Sequence, residues 1–172
     1  MKRNGKFVIC GVTVLDGTEN MQAAENCSVY VAGGKIEKIA EGGKPEVGYE
    51  IIDMTGKYLL PGLINLHVHL PASGKPRKKP SDPKKLVKLI TSGALMRKIG
   101  LKICAGYAKT ELMSGVTTIR TVGGVADFDT RVRDMIAEGS IVGPRILASD
   151  MAISVPGGHM AGSLAYEATS AE

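Results

Sequence analysis

Two histidines stand two residues apart, His67 and His69, at the end of the apolar run Tyr58-Leu-Leu-Pro-Gly-Leu-Ile-Asn-Leu66. On a β-strand side chains alternate, so positions i and i+2 point to one side. Two imidazoles held side by side can ligate one metal ion. Neutral imidazole suits zinc, iron, nickel and copper better than magnesium or calcium. An ion held in this way can act as a Lewis acid on bound water or on a carbonyl. The same short pattern also arises as two histidines near a strand end with no ligand, and the spacing alone leaves both readings open.

The elements that must position this pair follow from the apolar patterning. Residues 6–15 and 27–40 are β-like. Within them Ser28-Val-Tyr-Val-Ala32, Gly33-Gly34 and Lys35-Ile-Glu-Lys-Ile39 predict a hairpin with a two-residue turn. Ile36 and Ile39 break the alternation, which predicts a bend in its second strand. Glu50-Ile-Ile-Asp53 is a short strand. After the turn at Pro61-Gly62, Leu63, Ile64, Leu66 and Val68 form a nearly continuous apolar run, the mark of a parallel strand buried on both faces. Ser81 or Asp82 can cap a helix with Pro83 in its first turn. Leu86, Leu89, Ile90, Leu95, Ile99 and Ile103 then recur at helical spacing, predicting a helix to about Met113 whose core face they form, with Gly93, Gly100 and Gly106 as weak points. Val116–Val122 is a second strand. Phe128–Glu138 is an amphipathic helix stopped by Gly139, with Asp127 and Asp129 as N-capping residues, and Arg145–Ser149 is a third strand. The order β-α-β-α-β argues for a parallel sheet.

Composition narrows the function classes. No apolar run approaches the roughly 20 residues of a membrane helix. Met1-Lys-Arg3 before Phe7-Val-Ile-Cys10 mimics a signal peptide only faintly, since Gly11 and Thr13 break the run. The three cysteines, Cys10, Cys27 and Cys104, are widely spaced with no C-x-x-C pair, which favours buried free thiols and a cytoplasmic setting. With no Trp and two Phe, aliphatic side chains must fill the core.

Taken together, the motifs resemble the amidohydrolase superfamily. Asp53-Met-Thr-Gly-Lys-Tyr-Leu-Leu-Pro-Gly-Leu-Ile-Asn-Leu-His-Val-His69 is similar to the segment leading those enzymes into the first strand of a (β/α)8 barrel. Ser114-Gly-Val-Thr-Thr-Ile-Arg120 is similar to the second barrel strand. Gly123-Gly124, Gly143-Pro-Arg-Ile146 and Pro156-Gly-Gly-His159 follow in the family's order, and the set resembles the imidazolonepropionase-like and prolidase-like branch over most of residues 7–162. Asn65 and Thr121 stand where the family usually has Asp. The resemblance implies an α/β fold: the N-terminal part of a (β/α)8 TIM-barrel hydrolase, preceded by a small β-rich domain of a composite β-sandwich. Residues 1–57 would form part of the small domain and residues 58–172 the first strands and helices of an incomplete barrel. A complete barrel typically needs about 250 residues, so the 172 residues resemble one part of a longer enzyme.

The resemblance also implies site roles. His67 and His69 would be metal ligands for a divalent transition metal, zinc above all, in a mono- or binuclear centre. Its other ligands, a carboxylated lysine, two histidines and an aspartate, would come from later strands. No residue of this chain is a candidate for the proton-transferring carboxylate. His159, in a glycine-rich loop on the active face, would contact substrate, set against a solvent-exposed loop histidine. Arg120 could pair with a substrate carboxylate or anchor a structural ion pair.

Lys75, Arg77, Lys78, Lys79, Lys84, Lys85 and Lys88 against the single acid Asp82 give this segment +6, enough to account for the chain's +5. A solvated lid is the plain reading; steering of an acidic substrate is the functional one. Without interleaved aromatics a nucleic-acid role is a weak third.

The expected activity is metal-dependent hydrolysis of a C–N bond in an amide, an Xaa-Pro or Xaa-Arg dipeptide, or an N-acyl amino acid. The protein would be a homo-oligomer binding neither nucleic acid nor membrane, and these residues alone would be inactive. A non-catalytic amidohydrolase-like scaffold is the alternative.

Overall fold

The computed structural model describes residues 5–42, 45–76 and 82–171. The chain forms two compact units, residues 1–61 and 62–172.

The first unit is built on a five-stranded sheet. β1 (Phe7–Val14) pairs antiparallel with β2 (Ala24–Ala32), which pairs antiparallel with β3 (Lys35–Glu41). The Gly33-Gly34 turn has positive φ at both residues, 57° and 77°, as a tight two-residue hairpin requires. The expected bend in β3 is a register shift, with Tyr30 facing Lys38 and Val31 facing Ile36. On its other side β1 pairs in parallel first with β4 (Glu50–Asp53) and then with β5 (Tyr58–Leu59). The switch falls at Gly11, whose φ of 72° only glycine adopts freely. Val12, Cys27 and Val29 form the core of this unit, and Tyr30 is buried.

In the second unit β6 (Leu63–Val68), β7 (Val116–Thr121) and β8 (Arg145–Leu147) form a parallel sheet in that order. The chain crosses between them through α1 (Pro83–Thr91) with α2 (Ala94–Met113), then through α3 (Phe128–Ala137). The predicted long helix thus breaks at Ser92-Gly93. Asp82 caps α1, its carboxylate accepting from Lys84 N at 2.9 Å. Arg77, Lys78, Lys79 and Ser81 lie outside the described residues.

Two expectations about burial are corrected. Leu86, Leu89, Leu95, Ile99 and Ile103 are exposed rather than core. The buried stripe of α2 is made of small residues, Gly100, Cys104 and Ala108. A Cβ on Gly100 would lie 2.6 Å from Cε2 of Phe128, so the helix approaches that ring as only glycine allows. β6 is also not buried on both faces. Val68 and Leu70 join the core with Ile119, Phe128, Val132 and Ile146, while Leu63, Ile64 and Leu66 are exposed. The cause is that β6 is an edge strand among the described residues, with β7 as its one neighbour.

The segment after β8, read from sequence as a loop, holds two three-residue strands, β9 (Ala152–Ser154) and β10 (Ala165–Glu167), paired in parallel. Strands this short show no readable alternation.

Candidate active site

Burial of Val68 and Leu70 in the core orients the end of β6 and turns His67 and His69 the other way. Their ring centroids are 5.2 Å apart. The strand does not reach this point regularly. Asn65 faces Ile119 and Val68 faces Thr121, so β6 takes three steps where β7 takes two. Such a bulge re-aims side chains at a strand end. Side chains satisfy its backbone. His67 N donates to Asn65 Oδ1 at 3.2 Å, and Arg120 Nε donates to the Leu66 carbonyl at 2.9 Å.

His69 is fixed a second time. Its Nδ1 lies 2.8 Å from the carbonyl oxygen of Gly123. A carbonyl only accepts, so Nδ1 carries a proton, and in the neutral ring this leaves the lone pair on Nε2. Metal-ligating histidines are held in this way, with one nitrogen on a backbone carbonyl and the other on the ion. Gly123 has φ of 142°, and a Cβ there would stand 3.6 Å from the His69 ring.

The next glycine accommodates a buried acid. A Cβ on Gly124 would sit 2.6–2.8 Å from the carboxylate atoms of Asp129. Asp129 is wholly buried, and neither of its oxygens has a hydrogen-bond partner in good geometry. Burial, reinforced by the charge of Asp150, pushes its carboxyl up to about 6 from the ordinary 3.8, with opposing help from Thr121 and His69. Asp129 is therefore not an N-cap. Asp127 does stand at the N-cap position, but its side chain makes no capping hydrogen bond; its carboxylate pairs with Arg97 at 2.6 Å and Arg131 at 3.7 Å. The capping acid is Asp150, which accepts from Thr130 N at 3.0 Å and Thr130 Oγ1 at 2.5 Å. Sequence reasoning missed both roles. The signal for Asp129 was the glycine five residues before it, meaningful only once the turn brings the two together.

His67, His69 and His159, the chain's three histidines, line one cavity of about 650 Å³. Arg120 is not brought to it; with Arg133, Arg145 and Ser149 it lines a separate cavity of about 520 Å³. No three His, Cys, Asp or Glu side chains come close enough to hold a metal together among the described residues, so His159 and Asp129 do not complete a ligand set with the histidine pair. The pair itself fits a metal: two imidazoles on one face, one with its Nδ1 held by a backbone carbonyl. The cysteines are free, and burial pushes the Cys104 thiol up to about 12, which makes it unreactive.

The sequence profile of the amidohydrolase family matches residues 58–172, from the strand before β6 through the histidine pair and beyond. This chain belongs to the amidohydrolase family. Amidohydrolases with solved structures share the fold. A protein of Bifidobacterium longum bearing the name prolidase is 31% identical, with a TM-score of 0.71 over 97% of this chain and 35% of that one. An Xaa-Pro dipeptidase with methionine bound in its active site is 26% identical, with a TM-score of 0.71 over 92% of this chain and 37% of that one. The dihydroorotase of Trichlorobacter lovleyi is 38% identical over 64 residues, 37% of this chain and 15% of that protein. The chain thus spans about a third of the length of the two structures and less of the dihydroorotase. No helix among the described residues is long and apolar enough to cross a membrane.

Proposed function

We propose that this chain supplies the first metal ligands and one wall of the substrate pocket of a metal-dependent amidohydrolase acting on a C–N bond. The observation that carries the reading is the His67–His69 pair at a bulged strand end, with His69 Nδ1 held by Gly123, inside the stretch that matches the family. His67 and His69 would hold the ion through imidazole nitrogens, a donor set that suits zinc. When bound, such an ion activates water near neutral pH and polarises a carbonyl.

Gly123 sets the face that His69 presents, and the bulge sets that of His67. His159 faces the same cavity and would contact substrate. Arg120 would hold the strand end through Leu66 rather than meet substrate, since it lines a cavity separate from that of the histidines. Residues 1–57 would belong to a small composite β domain and residues 58–172 to the opening of a (β/α)8 barrel. With two ligands in hand, hydrolysis needs further ligands beyond those described here. The names of the prolidase and dipeptidase relatives support a dipeptide or N-acyl amino acid as substrate. A cytoplasmic setting is in keeping with the free cysteines, and the proposal takes the protein to be a homo-oligomer. The intact histidine pair speaks against the scaffold alternative.

The test is zinc content after purification without chelator, in the native chain and in a His67→Ala/His69→Ala variant. About one zinc per chain, lost in the variant, is the expected result. Equal zinc in both, or none in the native chain after zinc is added, would overturn the reading.

A further inference from the structure

The cavity beside the histidine pair has a chemical character of its own. Its apolar lining is Leu86, Val87 and Ile90 of α1 together with Val122, Met160 and Leu164. No Lys, Arg, Asp or Glu side chain lines it among the described residues. Asp129 lies behind Gly124 and is not part of the lining. At about 650 Å³ the space suits a small molecule rather than a protein segment. A cationic substituent placed there would lose its water and meet no carboxylate among the described lining residues. An apolar one would bury its surface against branched side chains and the adaptable thioether of Met160.

We propose that this cavity selects substrates carrying an apolar acyl chain or apolar side chain next to the scissile bond, with Leu86, Val87 and Ile90 as the specificity-determining wall. The position of that bond rests on the hydrolase reading above; the apolar preference itself does not. α1 exposes its other apolar residue, Leu89, without placing it in the cavity, so the helix carries its own control.

The test uses two ligand series on the zinc-loaded chain, straight-chain hydroxamates and the matching carboxamides, from acetyl to octanoyl, measured by calorimetry. Affinity is expected to rise about fourfold per added methylene in both series until the cavity fills. Leu86→Asp should flatten that rise, and Leu89→Asp should leave it intact. Both positions are exposed enough, 41% and 53%, to accept the charge without loss of the core, which a thermal melt checks. A flat response in both series, or a rise that survives Leu86→Asp unchanged, would overturn the proposal. A constant advantage of hydroxamate over carboxamide reports the metal separately. Its absence alongside a chain-length rise would overturn the metal reading and support the apolar pocket.

Discussion

His69 Nδ1 meets the carbonyl oxygen of Gly123 at 2.8 Å, across 54 residues of sequence. The contact joins the end of β6 to the turn after β7, and it decides which nitrogen of the ring is left to bind. It exists because Gly123 takes a φ of 142° that other residues rarely adopt.

Gly123→Ala is therefore expected to strain the turn and release the ring. The stability loss should be about 1–3 kcal/mol, read from a denaturant melt. Metal affinity should fall about 10–100-fold, as for loss of an outer-shell partner of a ligating histidine. A variant that keeps native zinc affinity would separate Gly123 from the site.

Asp129 makes stability depend on pH. Its carboxyl titrates near 6 in the fold against an ordinary 3.8, so the folded state binds that proton more tightly. The resulting stabilisation is present at pH below the ordinary value and is lost as pH rises through about 6. Asp129→Asn removes the ionisation. The variant should gain on the native chain by about 2–3 kcal/mol above pH 7, and the gain should shrink towards zero near pH 4. Urea melts across that range measure it, and a constant difference at every pH would contradict the assignment.

The start of α3 offers a comparison of two acids. Asp150 accepts the Thr130 N–H, and Asp127 only pairs with arginines at a half-exposed surface. Asp150→Ala should cost about 1–2 kcal/mol, as for loss of a helix cap. Asp127→Ala should cost less than about 1 kcal/mol, as for an exposed ion pair. Thermal melts of the two variants give the order directly.

These cases show what was legible in the sequence. The His67–His69 pair, the hairpin at Gly33-Gly34, the cap at Asp82 and the order of strands and helices all rest on local chemistry, and local chemistry is written in adjacent residues. The burial of α2 is not legible in its pattern because its large apolar residues, Leu95, Ile99 and Ile103, lie on the exposed side. Close approach to Phe128 required Gly100, Cys104 and Ala108 instead, and small residues carry little weight in a hydrophobic pattern. The roles of Asp129 and Asp150 depend on contacts across the chain, with Gly124 in one case and Thr130 in the other, which no spacing rule reveals. The sequence places Arg120 at a strand end, but its bond to Leu66 depends on a bulge that the apolar run conceals.

The most direct test of the central claim is long-range nitrogen NMR of the three histidines during a zinc titration. His69 is expected to show the Nδ1–H tautomer before zinc is added, with zinc-dependent shifts at His67 and at Nε2 of His69, and none of comparable size at His159. A His69 with its proton on Nε2, or zinc shifts confined to His159, would contradict the account.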